Sequence, residues 1–536
     1  MRTKLTWTTL LAIAGGAFAI EIPFFFFGIP SGHDLEFHVY SWLEVLSQWK
    51  QGIVYPRWAE LAFFGYGSPR FIFYPPASWA LGSALTAVFP WTIVSSLHIW
   101  IALTAAGVSM FFLAREWFDR RDASFAAVLY AVNPYHLLIV YWRSDFAELL
   151  ASWLLPLLLL LILRAGRGNR RVTTFLAVIL ACSWLTNAPA AVMVHYSLAL
   201  LLLVIAWQRR SSRVLLTGAV AVLLGAVLAA FYLLPAIYEQ RWVDIAQALS
   251  PGYRPIDNFL FVHTSDAEHV AFNRVISWIA VAEIAATIAA AWMARQWRRR
   301  APALWWAIVI WAAACVVMML PISQPLWSFL PKLRFMQFTW RWLLCLGIPF
   351  TLLVTMSLRG WGSRIALYAA MLGVLAFAGR HYQPPYWDHA DDLREMQDNM
   401  SAGEGYDGVE EYTPTAADPS AVGKDARRVR IEGPAHGVIH VLQWNAKRKL
   451  FTAEVSAPDK LALRLFDYPA WRVEVNGRVA QAEARDGTGQ LLVPVQAGAN
   501  RVQINFARTW DRTAGFWISM LAALLVMFLW RTSFLS

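Results

Sequence analysis

The chain has 536 residues, 58% of them hydrophobic and only 15% charged, with a mean hydropathy of +0.44, which excludes an ordinary soluble globular domain. Its formal net charge of +11 is dispersed as short Lys/Arg groups between apolar runs, the pattern that orients membrane helices, so nucleic-acid binding is excluded as well. Cys182, Cys315 and Cys345 lie in apolar runs without CxxC spacing, which indicates neither a disulfide framework nor a thiolate metal site.

A bilayer core takes about 20 apolar residues per helix, and cytoplasmic loops collect Lys and Arg. Residues 5–28 form the first span; no AxA-type cleavage site follows, so the run reads as a retained helix. Arg2 and Lys4 put the amino terminus inside and deliver residues 32–40, GHDLEFHVY, to the outer face. The first outer loop, 29–76, carries Trp42, Trp49, Tyr55, Trp58, Tyr66 and Tyr74, residues suited to the interface. Residues 77–89 are apolar but too short to cross and precede Pro90, so they read as interfacial or re-entrant. The second span then starts near 92, which keeps Arg115, Arg120 and Arg121 cytoplasmic.

Spans follow over 123–141 and 149–163, the latter closed by Arg164, Arg167, Arg170 and Arg171. Two more bracket Asn187-Ala-Pro189 and end at Arg209, Arg210 and Arg213, and a seventh covers 214–235. An eighth returns to Arg295, Arg298, Arg299 and Arg300, the ninth and tenth flank an outer loop at 321–341, and an eleventh covers 365–378. The predicted fold class is a polytopic α-helical membrane protein of about twelve spans with a C-terminal extracytoplasmic β-sandwich domain. The domain boundaries are 1–379 for the transmembrane part, 380–513 for the β-rich part and 514–536 for the final helix. In the β-rich part LALRLFD, WRVEVNG, GQLLVPVQAG and RVQINFA alternate apolar and polar residues, with an Asn476-Gly477 turn signal, and read as strands of a jelly-roll kind of sandwich. Both termini are expected in the cytoplasm of a bacterial-type inner (plasma) membrane.

Ionisable residues beside a membrane are costly and mark candidate chemistry. Asp34, Glu36, His33 and His38 crowd the start of the first outer loop; either an extended or a helical geometry brings Asp34 and His38 to one face. A carboxylate there can take a proton from an attacking hydroxyl or stabilise a sugar-like cation, with Asp34 and Glu36 both open as the principal acid. No cofactor is certain, and a divalent metal held by His33, Asp34, Glu36 and His38 stays open, though their spacing matches no zinc signature. Arg143, Asp145 and Glu148 occur together at the next outer turn, as an acceptor or sugar contact or as a structural clamp. Arg334 and Arg341, in an aromatic-rich outer loop with Lys332, are expected to hold a donor phosphate, or else to anchor the loop at the interface.

The first-loop Asp34-Leu35-Glu36 pair, FYPPASWALGSAL before the second span and LAREWFDRRDASFAAVLYAVNPY after it resemble the GT-C superfamily of membrane glycosyltransferases. More narrowly, YWRSDFAELLASWLLPL, LRFMQFTWRWL and DYPAWRVEVNG resemble bacterial YfhO-like proteins and the membrane proteins related by label to 6-pyruvoyl-tetrahydropterin synthase, a label that implies no pterin chemistry here. The resemblance implies transfer of a sugar from a polyprenyl-phosphate lipid to an extracytoplasmic glycan, lipid or protein acceptor, with Asp34 as the catalytic acid of the first loop. Alternatives from other classes are a transporter or flippase of lipid-linked glycans and a non-enzymatic envelope assembly protein.

Overall fold

The computed structural model describes residues 5–165 and 170–535, so Arg2, Lys4 and Arg167 lie outside the described residues. Nine helices among the described residues are long and apolar enough to cross a membrane, from Trp7–Phe27 to Trp510–Arg531. Two further pairs pass that test only together: Arg213–Leu228 with Ala230–Trp242, bent by 77°, and Pro302–Met318 with Pro321–Phe329, bent by 90°. Counting each pair once brings the total to 11, and Arg171–Thr186 is a shorter apolar helix. The chain is therefore a multi-pass integral membrane protein.

The bends are where the structure departs from the expected straight spans. Pro321 lacks the N–H that would continue the preceding helix, so the chain breaks at Leu320 and restarts with proline in a new first turn. The other break falls between Leu228 and Ala230, with Pro235 inside the second piece. The stretch read as interfacial forms the helix Pro76–Val88, which at 13 residues is too short to span.

Nine strands between Val429 and Phe506 form two antiparallel sheets, one of four strands and one of five. All four expected segments are strands: Asp459–Phe466, Trp471–Val475, Gln490–Val495 and Gly498–Phe506. Asn476 and Gly477 both take positive φ, 52° and 76°, as a tight turn between twisted strands requires. Phe451, Val473 and Val502 of one sheet and Leu461, Leu463 and Val493 of the other share one core, the two-sheet packing of a sandwich. The paired strands Gly437–Trp444 and Arg448–Val455 and the helix Ala390–Ala402 were not anticipated by the sequence reading.

This β-rich region is locked to the helices by buried charge. Glu239, at the end of Ala230–Glu239, accepts two hydrogen bonds from Arg512 of the last helix, at 2.7 and 2.6 Å, and one from Tyr468, at 2.6 Å. Lys449, buried in a strand, pairs with Glu60 at 3.1 Å, and Trp58 packs against Tyr468, Trp471 and Phe506. At the other edge of the first loop, Ile29–Pro30 pairs antiparallel with Trp387–Asp388. Removing one partner of a buried ion pair costs about 3–5 kcal/mol because the other charge is stranded. Glu239→Ala should accordingly lower the thermal midpoint of the detergent-solubilised protein strongly, and a Glu239→Ala/Arg512→Met double variant should recover most of the loss.

Candidate active site

The loop that follows the first helix reaches its partner through backbone contact. The segment after Gly28 runs beside the end of the helix Arg120–Arg143: Asp34 N–H donates to the Arg143 carbonyl at 2.9 Å, and Gly32 N–H donates to Ser144 Oγ at 3.0 Å. Gly32 permits this approach, since a Cβ there would lie 2.5 Å from the Arg143 carbonyl carbon and 2.7 Å from Ser144 N. On the facing side, Ile139–Arg143 widens into a π-helical turn and Ser144 takes a left-handed conformation, φ 52°, which turns Arg143 and Asp145 toward the same space. Asp145 then caps the next helix by accepting from Glu148 N at 2.9 Å.

These turns assemble a chain of charges. Arg143 pairs with Asp34 at 2.7 Å and, more loosely, with Asp145 at 3.5 Å. Arg341 donates to Asp145 at 3.2 Å, to Glu148 at 2.9 Å and to the Met336 carbonyl at 2.9 Å. Tyr135 donates to the remaining Glu148 oxygen at 2.5 Å. Burial works against the Asp145 charge, but the adjacent His38 ring and both guanidinium groups overcome it and hold the carboxyl below the usual range. Asp34, with its side chain 34% exposed against 4–5% for the two arginines and Asp145, is the end of the chain that meets solvent.

Of the sequence candidates, Asp34, Arg143, Asp145, Glu148 and Arg341 converge. His38 is buried beside them, with Nε2 at 3.8 Å from Asp145 and without a hydrogen-bond partner. Glu36 and Arg334 are exposed and outside the ion chain, whereas His33, also exposed, lies at its edge within electrostatic reach of Arg143 and Asp34. Glu36 faces Asp388 and Asp407, and partial burial followed by those two acids raises its carboxyl above the ordinary value. His33 packs edge-on against Phe272, and Arg334 lies over Phe335. The possible metal set is thus dispersed: among the described residues, no group of three or more His, Cys, Asp or Glu side chains is placed to hold a metal ion. Arg341, expected at a donor phosphate, has its donors committed to Asp145, Glu148 and Met336.

Several contributors escaped the sequence reading. Phe338 was missed; it stacks on Trp340, which belongs to the loop candidates with Lys332, Arg334 and Arg341, with centroids 4.8 Å apart, and the two lie under the Arg143 guanidinium at 4.7 and 5.2 Å. Both precede Arg341 in the loop already singled out, so their aromatic spacing was the available signal. Tyr135 follows Asn133-Pro134, a helix-start signature inside the stretch 123–141 read as one span, and nothing in the sequence marks it as a partner of Glu148. Beside Arg341, Trp342 closes a largely apolar cavity lined also by Tyr196, Leu200, Trp311 and Met318.

Asp34 and His38 are carried by the turn into the helix Leu35–Lys50, whose position depends on Glu44. That buried carboxylate accepts from the backbone N–H of Glu60 and of Leu61 and from the Tyr406 hydroxyl. Burial is the dominant influence on it, opposed by Tyr406, Arg70 and Leu61 and helped by Glu60, and it raises the carboxyl to about 7 from 4.5. Between those two values the folded chain keeps a proton that the unfolded chain has released, so this group's contribution to stability declines as pH rises through the window and is fully lost above about 7. Thermal unfolding in detergent at pH 5, 6, 7 and 8 should show that decline in the wild type, and a flatter profile in Glu44→Gln.

A comparison with curated protein sequences found no match. Among solved structures, the chain is similar to the apo crystal structure of the Archaeoglobus fulgidus oligosaccharyltransferase, at 15% identity and a TM-score of 0.45, over 76% of this chain and 57% of that one. The family model for the 6-pyruvoyl-tetrahydropterin synthase related domain, described as a membrane protein, matches residues 71–383. That match spans more than half of the chain and includes Arg143, Asp145, Glu148 and Arg341; the protein belongs to the 6-pyruvoyl-tetrahydropterin-synthase-related family of membrane proteins.

Proposed function

We propose that the protein is a membrane glycosyltransferase that moves a sugar from a polyprenyl-phosphate lipid to an acceptor hydroxyl on the extracytoplasmic side of the membrane. The observation that carries this reading is Asp34, a part-exposed carboxylate fixed by Arg143 at the mouth of a buried ion chain. In the reaction, the acceptor oxygen forms a bond to the anomeric carbon as the bond from that carbon to the phosphate oxygen breaks. Asp34 takes the acceptor proton, and the departing phosphate keeps the electron pair. Arg143 suits the phosphate better than Arg341 does: its Nε is buried without a hydrogen-bond partner, and a phosphate can take that donor. Arg334, exposed on the loop that also carries Arg341, is a second phosphate contact, and Arg341 itself positions Asp145 and Glu148. Glu36 is the competing acid, His33 and His38 assist, and the cavity beside Trp342 suits the first isoprene units of the lipid.

A second reading, transport of a lipid-linked glycan, is favoured by Glu283, which is buried in Ala267–Met293 with neither carboxylate oxygen paired. The two separate in nanodiscs supplied with radiolabelled polyprenyl-phosphate sugars and an extracted envelope fraction. The transferase reading expects label to pass to an acceptor with wild type and to fall at least about 100-fold in Asp34→Asn, with Glu283→Gln unaffected. Equal transfer by wild type and Asp34→Asn would remove Asp34 from the chemistry. Label crossing a sealed bilayer unchanged, with Glu283→Gln blocking it, would replace the enzyme by the transporter.

A further inference from the structure

Residues 404–415 form a strap pinned at both ends. At one end Tyr406 exchanges backbone hydrogen bonds with Leu61 and Phe64, each 3.1 Å, stacks on Tyr40 at 4.6 Å and donates its hydroxyl to Glu44. Gly408 lies flat on the Phe63 ring, where a Cβ would come within 2.4 Å. At the other end Thr413 O accepts from Asp244 N at 2.9 Å, Thr415 N donates to Trp242 O at 3.1 Å, and Tyr412 stacks on Phe73. Between the pins a single 3-10 turn, Glu410–Tyr412, leaves Glu410 in solvent and turns Glu411 inward. Glu411 there lies in the electrostatic field of Asp34, Arg341 and Arg70. Across the mouth Tyr253, 51% exposed, leans on Phe338 at 6.2 Å and feels Asp34, Glu411 and Arg143.

Three segments far apart in the chain thus bring two carboxyl groups and one half-exposed aromatic ring to a single opening. Its floor offers two buried atoms without hydrogen-bond partners, Arg143 Nε and His38 Nε2. A ring face beside carboxyl oxygens matches a pyranose, which presents C–H groups on one face and hydroxyls around its edge. We propose that Glu411 and Tyr253 form a carbohydrate-binding subsite over Asp34, with Tyr253 under the sugar ring of the acceptor and Glu411 bonded to one of its hydroxyls. This inference rests on the transferase reading for its role in turnover, though not for the binding itself. Burial, reinforced by Asp34 and opposed by Tyr412, Arg341 and Arg70, raises the Glu411 carboxyl above its ordinary value.

The test compares wild type with Glu411→Ala, Glu411→Gln, Tyr253→Ala and the exposed neighbour Glu410→Ala. Transfer from a labelled polyprenyl-phosphate sugar would be measured against increasing alkyl glucoside or mannoside. Glu411→Ala and Tyr253→Ala should raise the acceptor KM about tenfold with kcat within about threefold, the scale of one lost hydrogen bond or stacking contact. Glu411→Gln should recover most of the loss, and Glu410→Ala should match wild type. Unchanged acceptor KM in both alanine variants, or a loss confined to kcat, overturns the subsite and leaves the transferase standing. If the wild type transfers no label, the transferase reading fails, and stabilisation against thermal unfolding by 100 mM methyl glucoside or methyl mannoside decides the subsite. A shift present in wild type and absent in Glu411→Ala upholds it; a shift absent in both, or equal in both, overturns it.

Discussion

Two guanidinium groups set among carboxylates, with aromatic rings beneath them, are the constraint on which the rest of this molecule turns. Arg143 and Arg341 are almost wholly removed from solvent and are acceptable there only because Asp34, Asp145 and Glu148 stand within bonding distance. Those five residues come from the first loop, from the turn between two helices and from the start of another helix. The ion chain therefore fixes the depth and rotation of three membrane elements at once. Phe338 and Trp340 take the flat faces of the guanidinium groups and leave only their edges for acids, which sets direction as well as distance.

The helical architecture was legible because its driving force is local: a run of about 20 apolar residues has one favourable place in a bilayer whatever the rest of the chain does. Alternating residues marked four strands for the same reason, and Asn476-Gly477 marked a turn because few other pairs tolerate two positive φ values. The bends near Ala229 and Leu320 were less legible, since a hydropathy window averages over a break that a few residues create. Strands Gly437–Trp444 and Arg448–Val455 went unmarked; in the first, most side chains on both faces are exposed, so the burial alternation that identifies a strand is weak.

At the candidate site the acids and arginines were visible as improbable residues beside apolar runs, yet their pairing was not. Arg341 looked free for phosphate because its partners, Asp145 and Glu148, lie nearly two hundred positions away. Asp34 and Glu36, adjacent but one in sequence, part company because Asp34 belongs to the turn before a helix and Glu36 to its first turn, facing Asp388 and Asp407. Glu411 had no local signal: it is one of several acids in a polar stretch, and only the pins at Tyr406 and Thr413 turn it inward.

The short ribbon between Ile29–Pro30 and Trp387–Asp388 joins the beginning of the chain to a segment made much later. At about 5–20 residues per second, the first loop emerges tens of seconds before the strand that pairs with it, and Glu44 waits as long for Tyr406. During that interval Trp58 and Glu60 lack their β-rich cover, Lys449 included, and until Thr339–Ser357 is made Asp145 and Glu148 lack Arg341. Assembly of this protein is consequently ordered in time: the early helices are made first, and the candidate site takes its final shape only after the segment from Trp387 to Tyr406 has followed.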